Sequence, residues 1–329
     1  MRRFPCAIAL TPAEQRDFLP DALATELHGL ASEVRLLDTN GTFAAALAAA
    51  APEVLVASWS TPPLPEAPPA SLRYICYLAG SVKRLVRRRH LENGLLVTNW
   101  GGSISRTVAE GALWHILNGL RRGTHWTLAM HQDRAWKSGD PETASLFGRR
   151  VGLHGFGHVA RELVALLRPF GCTITVSAPD LDADTARDFG VAPAASLESL
   201  FDMSDIVVEV APLNAATRGV VTADLLQRLQ PGSVFVNVGR GAVVDEAALV
   251  RIAQRGDVHF GLDVFTSEPL PADSPLRGLR NVALTPHLAG PTNDRRADAG
   301  AFALANLRAF AAGRPLRAVI TPAVYDAST

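Results

Sequence analysis

Cysteine is scarce in this chain: three residues (Cys6, Cys76, Cys172) in 329, each within an apolar run, with no CxxC pair and no His/Cys cluster. That count and spacing exclude a disulfide scaffold and a zinc module, and the thiols read as small core residues in a reducing compartment. Net charge is missing too, because 32 basic residues balance 32 acidic ones. The balance argues against a polyanion-binding or membrane-surface protein. No apolar run approaches the ~18 residues that cross a bilayer. The opening Met1-Arg-Arg-Phe-Pro-Cys-Ala-Ile-Ala-Leu10 is too short in apolar residues for a secretory leader, so a first core strand is expected there. Internal repeats are also lacking. What is present is core material: 48% hydrophobic residues, over a length that calls for roughly two domains. A soluble, cytoplasmic protein with no nucleic-acid or membrane partner is expected.

The first hundred residues alternate short apolar strands (Cys6–Leu10, Val34–Leu37, Val54–Ser58, Arg73–Tyr77, Leu95–Asn99) with helical stretches such as Ala22–Leu30 and Phe43–Ala49. Such alternation predicts a parallel sheet covered by helices. Thr61-Pro-Pro-Leu-Pro-Glu-Ala-Pro-Pro69 is a rigid surface connection. Leu78-Ala-Gly-Ser-Val82 follows a strand directly, and two readings of it are even. It is a loop of small residues whose N–H groups take a carboxylate, or an ordinary strand-to-helix turn. Ser103 opens a long helix through about Leu120, with Ser103 or Thr107 as a cap, and Trp126–Trp136 reads as a second helix. The polar loop Ser138-Gly-Asp-Pro-Glu-Thr143 follows.

Val151-Gly-Leu-His-Gly-Phe-Gly-His-Val-Ala160 then places a buried strand, a glycine turn and an amphipathic helix in sequence. That is the grammar of a dinucleotide-binding unit. Gly155 makes the turn, Gly157 lets backbone approach a pyrophosphate, and Ala160 fills the third glycine position. A lone glycine pattern is weak, and a structural turn is its bland alternative. Further strands follow at Thr173–Ser177, Ile206–Ala211, Ser233–Val238, Val258–Val264 and Val282–Thr285, with helices at Ala223–Leu229 and Glu246–Gln254. Six parallel strands with the turn after the first form a doubly wound sheet, whose ligands sit beyond the carboxyl ends. Asp263, Arg240 and His287 fall at those ends. Pro291–Gly313 reads as a last amphipathic helix, after which the chain returns to the first sheet.

Arg240, between two glycines on a post-strand loop, suits bidentate binding of a carboxylate. His287 after Thr-Pro suits proton transfer near neutral pH, and an adjacent glutamate such as Glu268 would hold it. Singly, each is more often a surface arginine, a turn glutamate or a helix-flanking histidine. In this order after a dinucleotide turn, they carry more weight together.

From about Tyr74 to about Leu307 the chain resembles the D-isomer-specific 2-hydroxyacid dehydrogenases, relatives of phosphoglycerate dehydrogenase and glyoxylate/hydroxypyruvate reductase. The matching segments are Gly152-Leu-His-Gly-Phe-Gly157, Ala211-Pro-Leu-Asn-Ala-Ala-Thr-Arg218, Val236-Asn-Val-Gly-Arg-Gly241, Gly261-Leu-Asp-Val-Phe-Thr-Ser-Glu-Pro-Leu270 and Leu284-Thr-Pro-His287. The resemblance implies a Rossmann NAD(P)-binding domain, 101–289, inserted in a flavodoxin-like substrate domain, 1–100 with 290–329. It implies hydride transfer between NAD(P)H and a 2-oxo acid or D-2-hydroxy acid, in a homodimer. Arg240 would clamp the substrate, His287 would pass the proton, and Glu268 would support His287. Ala79, Gly80 and Ser81 would take the substrate carboxylate. The cofactor would meet Gly155, Phe156, Gly157, His158, Val159, Asp180, Thr107, Ala211, Pro212, Thr217, Val238 and Gly239, with Asp263 on its carboxamide.

Two positions depart from the family pattern. Ala178 stands where an acidic residue usually ends the second strand and binds the adenosine ribose. Asp180, two residues on, could reach that ribose, and no Arg or Lys follows at once to favour a 2′-phosphate. NAD is therefore the expected cofactor, with NADP left open. Ile104 replaces a polar residue near the substrate, which argues against a phosphorylated substrate. The competing function is a non-catalytic, NAD(H)-sensing dimer of corepressor type. Formate dehydrogenase shares the fold, but Glu268 counts against it.

Overall fold

The computed structural model describes residues 2–139 and 142–327 and divides into two compact units, Met1–Ile104 with Pro291–Thr329 and Ser105–Gly290. The first unit is built on five parallel strands: β1 (Phe4–Ala9), β2 (Ala31–Leu36), β3 (Val54–Ala57), β4 (Tyr74–Tyr77) and β5 (Leu96–Thr98). Their order is β2-β1-β3-β4-β5, the flavodoxin-like arrangement. Every residue of β3 and β4 is buried, as a parallel sheet with both faces covered requires. The chain does return to this sheet after its last long helix. Ile320 N donates to Val97 O at 2.8 Å, and Thr98 bridges Val319. That helix is shorter than the pattern predicts: a 3₁₀ turn occupies Asn293–Arg295, and the α-helix runs Arg296–Ala311. Pro291 cannot donate a backbone N–H to a helix, and Gly313 at φ +64 lies beyond its end.

Seven parallel strands, β6 (Arg150–His154), β7 (Thr173–Ser177), β8 (Ala192–Pro193), β9 (Ile206–Glu209), β10 (Val234–Asn237), β11 (His259–Leu262) and β12 (Val282–Leu284), form the second unit's sheet. The order β12-β11-β10-β9-β6-β7-β8 reverses direction between β6 and β9, the topological switch of a Rossmann sheet. The seventh strand, absent from the sequence reading, is β8. Two residues leave no hydrophobic pattern, and its proline is tolerated because β8 is an edge. Both α/β sheets thus match the doubly wound expectation.

The helix Ser105–Leu120 packs on the helix His158–Leu167 and on β10 and β11. Glycine is required at its contact with the sheet, because a Cβ at Gly119 would sit 2.7 Å from Val234 Cγ1. The expected second helix is displaced: it runs Gly123–His131, and the chain leaves it toward Arg134 at φ +54, leaving Trp136 74% exposed. Of the polar loop that follows, Asp140 and Pro141 lie outside the described residues. Ser103 does not cap the long helix, since its hydroxyl is buried without a partner.

Candidate functional site

Beyond the carboxyl end of β6, Gly155 takes φ +95, and a Cβ there would meet Ala211 Cα at 2.7 Å. Both conditions admit only glycine. Gly157 is exposed and faces open space, and the helix it opens (His158–Leu167) has no side-chain cap. Its first N–H groups are therefore left for an anion. Buried Ala160 packs in the third glycine position, while Phe156 is buried against Phe189. These residues fit the pyrophosphate end of a dinucleotide. His158 is exposed and Val159 half-buried on the first turn.

Below this turn lies a pair that sequence reasoning missed. The β6–β9 register sets His154 opposite Glu209. His154 Nδ1 and Glu209 Oε2 lie 2.5 Å apart, and Glu209 Oε1 accepts from Ala211 N at 2.8 Å. Complete burial pushes the Glu209 carboxyl up, opposed by these bonds. β9 ends at Glu209 rather than at the expected Ala211, whose N–H is taken by the Glu209 carboxylate instead of by a neighbouring strand. Asn214 and Thr217 then close the loop, with Thr217 Oγ1 donating to Pro212 O at 2.5 Å and Asn214 Oδ1 accepting from Thr217 N at 3.1 Å. The only sequence signal was one polar residue ending each of two apolar strands. Elsewhere at the cofactor end, Ala178 is half-buried and Asp180 exposed just after β7. Asp182, next in line, is occupied as the cap of the helix Ala183–Phe189. Thr107 lies in the first turn of the helix Ser105–Leu120.

After β10, Val238 is buried and Gly239 sits tight against the loop following β9, where a Cβ would come 3.2 Å from Glu209 O. Gly241 has less freedom still, since a Cβ there would stand 2.0 Å from the Phe265 carbonyl carbon. Held between them, Arg240 donates through Nη1 to Gly239 O at 2.7 Å. Burial lowers its pKa from the usual arginine value, with the Glu268 charge opposing. A guanidinium remains charged under such a shift, so this is a poorly solvated cation with N–H groups to spare.

His287 follows β12 at φ +55, an uncommon conformation for a non-glycine residue that costs about 1 kcal/mol. Its N–H donates to Asp263 O at 2.9 Å, and its Nδ1 lies 2.8 Å from Glu268 Oε2. Glu268 is fixed in turn by Phe265 N, which donates to Oε1 at 3.0 Å. Both side chains of the pair keep part of their surface open (46% and 36%). Asp263, by contrast, is 1% exposed. Its Oδ1 accepts from Thr285 Oγ1 (2.6 Å) and Leu288 N (2.7 Å), and its Oδ2 from Ala289 N (2.9 Å). In this structure Asp263 holds the histidine loop, a role the sequence did not reveal. Desolvation pushes its carboxyl up, against those three hydrogen bonds and the nearby His287.

The network extends inward. His115 Nε2 lies 3.0 Å from Thr285 Oγ1, and because that hydroxyl donates to Asp263, the imidazole is the donor. Its Nδ1 is buried without a partner, and burial pushes the His115 pKa down to about 4. A neutral histidine thus braces the loop from the long helix.

In the first unit, Ala79 is buried while Gly80 and Ser81 are half-buried. Asn99 Nδ2 donates to Gly80 O at 2.8 Å, and Trp100 N donates to Ala79 O at 3.3 Å. Among the described residues, no acceptor in the chain takes the Gly80 or Ser81 N–H. An anion-binding loop needs that opening.

Known proteins supply the remaining test. The family model described as D-isomer specific 2-hydroxyacid dehydrogenase, NAD binding domain, matches residues 113–289. The chain belongs to that family. Glyoxylate/hydroxypyruvate reductase B of Pectobacterium atrosepticum is 32% identical over 239 residues, 71% of this chain and 74% of that one. An (S)-sulfolactate dehydrogenase of Chromohalobacter salexigens is 34% identical over 209 residues, 63% and 66% of the two chains. Among solved structures, an NADPH-dependent glyoxylate/hydroxypyruvate reductase from Sinorhizobium meliloti superposes with a TM-score of 0.77 at 26% identity, covering 97% of this chain and 98% of the other. The dehydrogenase is thus an NAD(P)-dependent oxidoreductase of 2-hydroxy acids. The similarities support this reading and not the dinucleotide-sensing alternative.

Proposed function

We propose that the dehydrogenase reduces a 2-oxo acid, with Arg240 holding the substrate and the His287–Glu268 pair moving the proton. The observation that carries this is the 2.8 Å contact between His287 Nδ1 and Glu268 Oε2. With Nδ1 engaged, Nε2 is the atom left to exchange a proton, and a carboxylate behind the ring stabilises the imidazolium. Bound nicotinamide supplies or accepts the hydride. In reduction, His287 Nε2 gives its proton to the keto oxygen, which becomes the hydroxyl; in oxidation the ring takes it back. Arg240, desolvated and only partly satisfied by Gly239 O, pairs with the carboxylate and polarises the keto oxygen. In the first unit, Gly80 and Ser81 offer N–H groups suited to a carboxylate, and Ala79 sets their loop. We assign Asp263 a positioning role through the His287 loop, and the 155–159, 211–217 and 238–239 segments to the cofactor.

Residues 105–290 serve as the cofactor domain in this reading and the other unit as the substrate domain. NAD is favoured over NADP because exposed Asp180 follows β7 with no Arg or Lys beside it. A homodimer is supported by the apolar side chains exposed on the helical layer after Ser105, Trp114 and Met130 among them. A cytoplasmic location is supported by three free thiols. Among the described residues, no helix is long and apolar enough to cross a membrane.

The test is a panel of 2-oxo acids assayed with NADH and with NADPH, beside His287→Ala. Turnover of at least one acid is expected, along with a loss of about a thousandfold in the variant at unchanged NADH affinity. Weakened NADH binding in His287→Ala would show the proton role to be wrong. Ala178→Asp should shift preference toward NADH by several-fold, and an unchanged ratio would count against placing the ribose there.

A further inference from the structure

The loops after β3, β4 and β5 emerge side by side at the carboxyl edge of the first sheet, where open α/β sheets bind ligands. The middle loop carries Gly80. On one side stands Trp59, two residues past β3, and on the other Trp100, two past β5. The Trp100 indole lies against Gly80, since a Cβ there would come 3.0 Å from Cζ2 and 3.2 Å from Nε1. Trp59 meets Trp100 edge to face at 5.6 Å and 80°, and backs onto buried Phe18 at 5.3 Å. Although it follows a fully buried strand, Trp59 remains 40% exposed. Phe18, Trp100 and the Arg296 guanidinium fix the ring, and the exposed part of it is what a substrate side chain can cover.

The cation lying against Trp59 is already paired. The Arg296 guanidinium lies 5.5 Å from the Trp59 ring centroid and pairs with Asp17 Oδ2 at 2.5 Å. The cation that touches the wall is therefore neutralised, which disfavours a second anionic group there.

We infer that the preferred substrate is a 2-oxo acid with a bulky apolar or aromatic side chain, seated on Trp59 beside the carboxylate loop. The inference rests on the reading that Gly80 and Ser81 take the substrate carboxylate. Aromatic rings add edge and stacking contacts to simple area burial, and a matched pocket discriminates by at least about tenfold. An unsubstituted acid leaves the wall in water, and a second carboxylate there finds Arg296 already paired with Asp17.

The experiment compares kcat/KM for phenylpyruvate, 4-methyl-2-oxopentanoate, glyoxylate and 2-oxoglutarate with NADH and NADPH, in the wild type, Trp59→Ala and Trp59→Phe. Phenylpyruvate is expected to exceed glyoxylate by about tenfold or more. Trp59→Ala should lose about tenfold on phenylpyruvate, mainly in KM, and less than about threefold on glyoxylate. Trp59→Phe, which keeps an aromatic face, should restore most of that loss. Preference for glyoxylate or 2-oxoglutarate overturns the inference, as does an equal loss on all substrates in Trp59→Ala; selection of 2-oxoglutarate would point instead to exposed Arg84. Turnover of glyoxylate alone refutes the side-chain inference and leaves the 2-oxo acid reading standing. No turnover of any acid with either cofactor refutes that reading and this one with it.

Discussion

Two carboxylates serve the histidine loop, and they differ in almost everything except charge. Asp263 is sealed at 1% exposure, and its three hydrogen bonds all come from the loop it supports. Glu268 is 36% exposed on its side chain, with one oxygen on a backbone amide and the other on His287. A buried carboxylate with its acceptors filled fixes backbone shape, here including the left-handed His287. A half-open one can follow the protonation of its neighbour. In the proposed function, rigidity and proton exchange are thus divided between two residues five positions apart in sequence.

The division can be broken at either side, and the largest effect lies with Asp263. Asp263→Ala leaves the Thr285 hydroxyl and two amides unpaired inside the protein, and should cost about 4 kcal/mol in denaturant unfolding. A loss no larger than that of Glu268→Gln would erase the contrast. Next comes His115, which braces the same loop as a neutral ring. Its pKa falls from 6.5 to about 4 in the folded state, so the unfolded chain binds the extra proton between those values. Stability from this group is full above pH 6.5 and is lost as pH falls toward 4, by up to about 3 kcal/mol. Glu209 and Asp263, whose carboxyls are raised, contribute the opposite slope, so the informative quantity is the difference between wild type and His115→Leu. That difference should change across pH 4 to 6.5 and level off above it; a flat difference would remove His115 from the scaffold. The smallest change is at Glu268. Glu268→Gln should slow turnover by about tenfold to a hundredfold, roughly 1.4 to 2.7 kcal/mol of barrier, with stability moved by less than about 0.5 kcal/mol. An unfolding midpoint that drops with activity would make Glu268 a second scaffold.

Much of this was legible in the sequence because its signals are local. The glycine turn, Arg240 between glycines and His287 after Thr-Pro each occupy a few consecutive residues. The parallel-sheet strands also announce themselves as short apolar runs. The two-residue β8, the early end of the helix at His131 and the 3₁₀ turn at Asn293–Arg295 did not, because capping and edge pairing set such boundaries rather than hydrophobic period. The motif marks Asp263 and places it on the cofactor carboxamide, but says nothing of its hold on the His287 loop. Burial, which turns it inward, is not written in neighbouring residues.

By itself, the sequence determined the class of fold, the order of the motifs and the chemical kinds of residue at the strand ends. Only the tertiary structure decided which of those ends meet. His154 and Glu209 are 55 residues apart and face each other because β6 pairs with β9 across the switch point of the sheet. His115 reaches Thr285 because its helix lies across β11 and β12. Trp59 and Trp100 flank Gly80 because β3, β4 and β5 are neighbours. Parallel pairing joins strands through long crossovers, so contacts at the carboxyl edge are set by strand order, which no stretch of adjacent residues encodes.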